Sequence, residues 1–241
     1  MSLVVSIRDV LRATPRASVV RLDLGGATLD YVAGQAVMVG DHGQPVRRPY
    51  SMASSPEDAA RDGWIELLIG VDEQGRAGHH LTLSKGARLD LDGPVGSFTF
   101  PEQPQESRFV FIAGGTGIAP LRAMLRHALT RPHREVGLYY SARTPDEFAY
   151  EEELRGLARE GRIELTQTVT RTTGGDWNGE RGRLGHAHLR PLVHGRATLC
   201  FICGPPGLVA GLSTILQELG VPTDRIRVEA WHSPSADRAR S

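Results

Sequence analysis

The chain has 241 residues, 40% hydrophobic and 23% charged, enough to bury one large core or two ordinary ones and too apolar for a disordered polypeptide. Its 28 basic and 28 acidic side chains cancel, leaving no long-range field to draw in nucleic acid or an anionic membrane, and neither is expected as a partner. No apolar run approaches the about 20 residues that cross a bilayer, and MSLVVSIRDVLRAT lacks the features of a signal peptide, so a cytoplasmic protein is expected.

Up to about residue 100 the sequence is a series of short alternating runs separated by turn residues. Val20, Leu22 and Leu24 alternate with Arg21 and Asp23, and Ile65, Leu67, Ile69 and Val71 repeat the period of two. Further strands are predicted at 3–10, 36–40, 50–54 and 88–92, which together suggest a small antiparallel barrel of six strands. Near the fourth of these stands RPYSMAS. Residues two apart in a strand share a face, so Arg48 and Tyr50 point one way and Ser51 the other, an arrangement suited to a flat, charged ligand.

FPEQPQES, residues 100–107, is a polar, proline-bearing link with little to bury, and a domain boundary is placed there, between 1–101 and 102–241. Beyond it the rhythm becomes strand, turn, helix. Strands are predicted at 109–113, 135–142, 163–170, 197–203 and 226–231, with helices after residue 117, near 147–159 and near 206–219. That alternation predicts a parallel sheet covered by helices on both faces. The last ten residues, 232–241, are polar and expected to be mobile.

Two turns in this second half carry chemistry. In FVFIAGGTGIAPLRAML a strand runs into Gly114-Gly115-Thr116-Gly117, and Pro120 is read as the first helical residue. Glycines let a phosphate approach the backbone amides, and the helix start adds partial positive charge, so this is a predicted anion cradle. In CFICGPPGLVAGL, Gly204-Pro205-Pro206-Gly207 repeats the strand-turn-helix pattern. Two such turns at one edge of a sheet would flank a single crevice wide enough for a dinucleotide. Cys200 and Cys203 form a C-x-x-C, but residues three apart in a strand face opposite sides, so no paired thiol role is expected. Two cysteines are also too few to ligate an iron-sulfur cluster.

RPYS, GGTGIAP and CGPPG, in this order and spacing, resemble the ferredoxin-NADP reductase superfamily of flavoprotein reductases, over residues 3 to 231. The resemblance implies a two-domain molecule, a six-stranded antiparallel Greek-key β-barrel for the flavin and an α/β parallel-sheet domain for the nucleotide. It implies that Arg48 holds the flavin phosphates, with Pro49 beside it, that Tyr50 packs on the isoalloxazine and that Ser51 hydrogen-bonds near flavin N5. A second flavin-phosphate element corresponds to GRAGHHLTL, with Gly75 just before Arg76. There Gly78 stands where relatives carry Ser or Thr, and the amides of Gly78, His79 and His80, followed by Leu81, open a short helix. FAD is expected, with FMN the alternative. No metal is expected; His79, His80, His186 and His188 are read as ordinary polar residues.

For the pyridine nucleotide, the resemblance places the pyrophosphate over Gly115, Thr116 and Gly117. It sets Ser141 and Arg143, joined by Arg171 and Arg183, at the 2′-phosphate, so NADP(H) is favoured over NAD(H). Lys85 is the only lysine, so arginine alone is weak evidence for a phosphate site. Cys203, Gly204 and Pro205 would flank the nicotinamide, Glu229 would bring a carboxylate near the flavin and Trp231 would cover its face. The implied activity is NAD(P)H-dependent flavoprotein reductase. Electrons would pass to ferredoxin, flavodoxin or an oxygenase component. A small acceptor such as a ferric chelate, or a non-catalytic electron-transfer or regulatory subunit, is the alternative, and a monomer is expected.

Overall fold

A computed structural model describes residues 2–78, 80–171 and 177–230, so His79, Trp231 and the 232–241 tail lie outside the described residues. The first sheet comprises β1 (Ser2–Thr14), β2 (Ala17–Asp23), β3 (Ala36–Asp41), β4 (Arg48–Ser51), β5 (Trp64–Gly70) and β6 (Arg88–Val95). Its order is β4-β3-β6-β1-β2-β5, every neighbouring pair antiparallel. The sequence-distant β6 lies between β1 and β3, a Greek-key order. The long β1 serves two partners: Ser2–Ser6 pairs with β6, and Ser6–Thr14 continues against β2 through two register shifts that bend the strand. A Met52–Leu67 bridge and the Ala53 amide donating to Glu66 O at 2.7 Å join the end of β4 to β5 and close the barrel.

The period-two residues do what alternation demands. Val20, Leu22, Ile65, Leu67 and Ile69 all point into one buried core. Pro49 is tolerated because β4 stands at the end of the strand order, with β3 as its ladder partner, so the missing N–H breaks no central ladder. In this half one helix was not expected. Helix α1 (Pro56–Asp62) is capped by the Ser55 hydroxyl, with Asp58 returning a bond to the Ser55 amide, and Gly63 ends it at φ +72°.

The second sheet contains β7 (Arg108–Gly114), β8 (Glu135–Ala142), β9 (Glu164–Val169), β10 (Glu180–Arg181), β11 (Thr198–Gly204) and β12 (Ile226–Ala230), all parallel, in the order β10-β9-β8-β7-β11-β12. Helices α2 (Ile118–Ala128), α3 (Glu151–Arg159), α4 (His186–Leu189) and α5 (Pro206–Glu218) cover it. In this half β10 and α4 were not expected. The continuous apolar run of β7 is explained by burial on both faces. Phe109, Phe111 and Ala113 pack with α2, while Val110 and Ile112 pack with α5. Strand order reverses between β7 and β11, which makes their carboxyl ends the topological switch point. Among the described residues no helix is long and apolar enough to cross a membrane.

The barrel packs against the α2 face of this sheet. Phe100, after β6, lies 5.0 Å from Phe109 and 5.6 Å from Phe201 between ring centroids, and Phe111 lies 5.2 Å from Phe201. Beside these rings Arg122 donates to Ala53 O at 2.7 Å, to Glu66 Oε1 at 3.1 Å and to Glu153 Oε2 at 2.9 Å. One turn on, Arg126 donates to Glu153 Oε1 at 2.7 Å and to Asp58 Oδ1 at 2.8 Å. Glu66 and Asp58 belong to the barrel side, and Glu66 is 2% exposed. Carboxylates buried to this degree require such partners.

Burial alone would drive the Asp58 carboxyl upward, but bonds from Arg126 and Ser55 and the nearby guanidinium outweigh it and hold the group well below the usual carboxylate range. A depressed folded-state pKa contributes stability above the unfolded value of about 3.9 and loses it as pH falls. Asp58→Asn is therefore expected to cost about 2 kcal/mol at neutral pH. Urea midpoints should show the gap from the parent constant between about pH 8 and pH 5 and shrinking below about pH 4; a gap that widens on acidification contradicts the assignment.

Candidate functional site

At the switch point, β7 ends at Gly114 and a single 3-10 turn, Gly115–Gly117, leads into α2. A Cβ at Gly117 would stand 2.3 Å from Cys203 O and 3.0 Å from Gly204 N; one at Gly204 would stand 3.2 Å from Gly114 Cα. The two glycine turns thus pack backbone against backbone, a contact that no side chain permits. Gly115 sits at φ +56°, and Tyr140 fixes it by donating to Gly115 O at 3.1 Å while accepting from the Ala149 amide at 3.2 Å. Thr116 is half-buried, and its hydroxyl has no hydrogen-bond partner among the described residues. Pro120 is the third residue of α2, not the first as the sequence reading has it, because Gly117 caps the helix and Ile118 begins it. The position is equally harmless, since the first four amides of a helix have no intrahelical acceptor. The second turn enters α5 through Pro205 at the cap and Pro206 at its first residue.

Cys203 lies opposite Glu229 in the β11–β12 register, its thiol donating to Glu229 Oε2 at 3.8 Å. Burial, reinforced by that carboxylate, pushes the Cys203 thiol well up, and burial raises Glu229 as well. Cys203 is therefore a neutral S–H and not a nucleophile at neutral pH. Cys200 packs on the opposite face, where burial takes its thiol up to about 12.

At the carboxyl end of β8, Ser141 is buried to 8% exposure with its hydroxyl unpartnered among the described residues. Arg143 follows, and the Arg171 amide donates to Arg143 O at 2.8 Å, which brings the ends of β8 and β9 together. Burial, then Arg16, then Arg171 depress the Arg143 guanidinium, with Glu147 opposing. Arg16 comes from the barrel, in the turn between β1 and β2, and Arg183 is exposed beyond β10.

At the barrel end, Arg48 and Pro49 are exposed and Tyr50 and Ser51 half-buried. Adjacent arginines have opposite fates. Arg47 is bound by Asp90 at 3.0 Å and also pairs with Asp92, whereas Arg48 has no carboxylate within ion-pair distance among the described residues. The Tyr50 hydroxyl and His80 Nε2 are 2.6 Å apart, the ring centroids 6.0 Å apart and the planes 6° from parallel. Parallel rings stacked face to face cannot bring two of their atoms within that distance, so the rings lie edge to edge in nearly one plane. Burial pushes the Tyr50 phenol up to about 12, and burial together with Arg48 lowers His80. A protonated phenol and a neutral His80 thus share one hydrogen bond through Nε2. The result is a half-buried Tyr50 ring, held in its plane by the buried His80, beside a guanidinium with no ion-pair partner among the described residues, and the Ser51 hydroxyl, likewise unpartnered among them, lies next along the strand.

The short helix expected after Gly78 is not formed by the described residues from 80 to 85. Asp41 draws this segment against the end of β3 instead: its carboxylate accepts from the Thr82 amide at 2.8 Å and hydroxyl at 2.7 Å, and its amide donates to His80 O at 3.2 Å. Gly75 at φ +80° and Gly78 at φ +87° turn the chain toward it, and Leu81 anchors it in the barrel core. His186 pairs with Glu218 at 2.6 Å, and His188 accepts the Gly185 amide at 3.1 Å. Half-buried aromatic ring, exposed guanidinium and open hydroxyl fit a planar ring system with an anionic tail, and the half-exposed Gly115 and Thr116 before the start of α2 fit a second phosphate-bearing ligand.

The family model for the oxidoreductase FAD-binding domain matches residues 4–100, and that for the oxidoreductase NAD-binding domain matches residues 111–214. Ferredoxin-NADP reductase B of Sorangium cellulosum is 34% identical over 201 residues, which cover 78% of this chain and 80% of that protein. The reductase component of propane 2-monooxygenase from Rhodococcus jostii is 33% identical, covering 80% of this chain and 53% of that protein. The solved structure of the Amycolatopsis cytochrome P450 reductase GcoB superimposes with a TM-score of 0.82 at 27% identity, covering 95% of this chain and 69% of that one.

The glycine contact carries its own test. Gly117→Ala forces the Cys203 carbonyl to move and is expected to destabilise by about 2 kcal/mol or more. Gly211→Ala, in α5 with nothing within 4 Å of the added methyl, is expected to stabilise by about 0.5–1 kcal/mol. Thermal melting of the two variants should shift in opposite directions, and equal shifts contradict the packing argument.

Proposed function

The chain belongs to the ferredoxin-NADP reductase superfamily of flavoprotein oxidoreductases, and within it we propose an NADPH-dependent reductase that hands electrons from FAD to a separate protein acceptor, a ferredoxin, flavodoxin or oxygenase component. The observation that carries the flavin site is the half-buried Tyr50 ring, held by a hydrogen bond to the buried His80, beside the exposed Arg48, which has no ion-pair partner among the described residues. The acceptor class rests on the relatives named for ferredoxin and for a monooxygenase.

In this reading residues 1–101 hold the flavin and 102–241 the nucleotide. The redox chemistry supplied by the bound FAD is acceptance of two electrons as hydride from the nicotinamide and their release one at a time. The protein contributes placement. Tyr50 would pack against the flavin ring and exclude water, with His80 keeping the phenol in its plane. Arg48, aided by the turn carrying Gly75 and Gly78, would hold the flavin phosphates, and the Ser51 hydroxyl would hydrogen-bond to the ring. Gly115 and Thr116 receive the coenzyme pyrophosphate, and Arg143 and Arg171, with the Ser141 hydroxyl, receive the 2′-phosphate. Cys203 and Gly204 bound the nicotinamide. Glu229, its carboxyl raised by burial, is placed to hold a proton at the edge of that site.

The purified protein is expected to be yellow, and NADPH should bleach it anaerobically faster than NADH does in stopped flow. Turnover with ferredoxin should exceed that with ferric citrate; the reverse order would make a small ferric chelate the acceptor. Tyr50→Ala should raise the FAD dissociation constant about tenfold or more, and His80→Ala by a smaller factor, both measured by flavin fluorescence. Unchanged FAD affinity in both variants would remove the Tyr50–His80 pair from the flavin site.

A further inference from the structure

Arg16 stands in the tight turn between β1 and β2, on the barrel, but its guanidinium leaves the barrel: Nη2 lies 2.6 Å from Glu147 Oε1. Its backbone is held in place, the amide donating to Thr14 Oγ1 at 3.2 Å and the carbonyl accepting from the Val71 amide at 2.9 Å. Glu147 closes the single turn Pro145–Glu147 that follows Arg143, and its own amide donates to Thr144 O at 3.1 Å. The Glu147 side chain is 15% exposed and the Arg16 side chain 46%. Neither Arg143 nor Arg171 has a carboxylate within ion-pair distance among the described residues. Glu147 is the carboxylate whose field reaches Arg143, and Arg16 is its ion-pair partner.

A carboxylate at the rim of a guanidinium cluster works against a phosphate there. Unpaired, Glu147 would repel the incoming dianion and offer Arg143 a competing intramolecular partner. Paired, it is neutralised, and the cluster keeps its positive charge.

We propose that Arg16, a barrel residue, sets the coenzyme preference of the nucleotide site by neutralising Glu147, so that Arg143 and Arg171 remain available to the 2′-phosphate. The proposal rests on the reading of Arg143 and Arg171 as the 2′-phosphate site. Arg16 acts through Glu147 and is a positioning residue. One consequence follows for the whole molecule: the nucleotide sheet is complete as an NADPH site only while the β1–β2 turn stays docked on the 145–147 turn.

The test uses the full FAD-loaded protein and two probes that differ by the phosphate in question, 2′,5′-ADP and 5′-AMP, titrated by calorimetry. The parent should prefer 2′,5′-ADP. Arg16→Gln should weaken 2′,5′-ADP about tenfold while 5′-AMP stays within about twofold. Adding Glu147→Gln to Arg16→Gln should recover most of the loss, because the charge to be masked is gone; an ion pair with a purely structural role would give no such rescue. Equal weakening of both probes by Arg16→Gln, no weakening of either, or no recovery in the double variant overturns the proposal. Arg143→Ala separates this failure from failure of the underlying site. If Arg143→Ala abolishes the preference while Arg16→Gln preserves it, the masking role alone is wrong. A parent without preference, indifferent to Arg143→Ala, removes the 2′-phosphate site itself and the proposal with it.

Discussion

Arg122 holds the barrel to the nucleotide sheet, and the site's geometry descends from its contacts. One guanidinium binds Ala53 O and Glu66 on the barrel and Glu153 on α3, and its Cζ lies 4.3 Å from the Tyr150 ring centroid. Ala53 is two residues past Ser51, at the end of the strand that carries Arg48 and Tyr50, and Arg122 itself is on the first turns of the helix that Gly117 opens. A single planar fork therefore ties the strand that carries Tyr50 to the helix that follows the Gly115–Gly117 turn. Lysine could not substitute, because a point charge with rotating donors does not lock a carbonyl and two carboxylates in one plane. Arg126 repeats the arrangement one turn later with Asp58 and Glu153, so the tie is made at a second point.

That constraint explains why the crevice uses glycine where it does. With the sheet's carboxyl edge turned toward the barrel, the turns after β7 and β11 share one narrow space, and Gly117 meets Cys203 O where any methyl would collide. Read from sequence, the glycines suggest room for a phosphate. In the structure, Gly114, Gly117 and Gly204 are spent on contact between the turns, while Gly115, at positive φ, and Thr116 are the half-exposed positions that face outward.

Much of the fold was legible because burial imposes period. The barrel strands alternate since one face is in the core, and β7 and β11 do not alternate since both faces are. Helix α1 carries a complete start and stop signal, Ser55 to Asp58 with Pro56 and then Gly63, and was passed over because so short a helix buries only Asp58 and Ala59 and so has no apolar stripe. The short helix after Gly78 is implied by the resemblance alone; the carboxylate that reroutes the segment, Asp41, sits on another strand, where neither resemblance nor local pattern registers it. Arg16 was invisible for the same reason. Its partner is in the other domain, and in a chain with one lysine an arginine at a hairpin turn carries no signal.

The same composition makes pairing the decisive variable. Arg47 and Arg48 are neighbours in sequence and identical in chemistry, yet Asp90 and Asp92 neutralise the first, while the second has no carboxylate partner among the described residues. Arg122 and Arg126 are consumed by Glu66, Asp58 and Glu153, whereas Arg143 and Arg171, at the end of the sheet, have none among the described residues. Glu147 is the exception that proves informative, a carboxylate placed where one should be harmful, and its neutralisation by a barrel residue means that charge at the nucleotide site is set by contact between domains as well as by the domain that contains it.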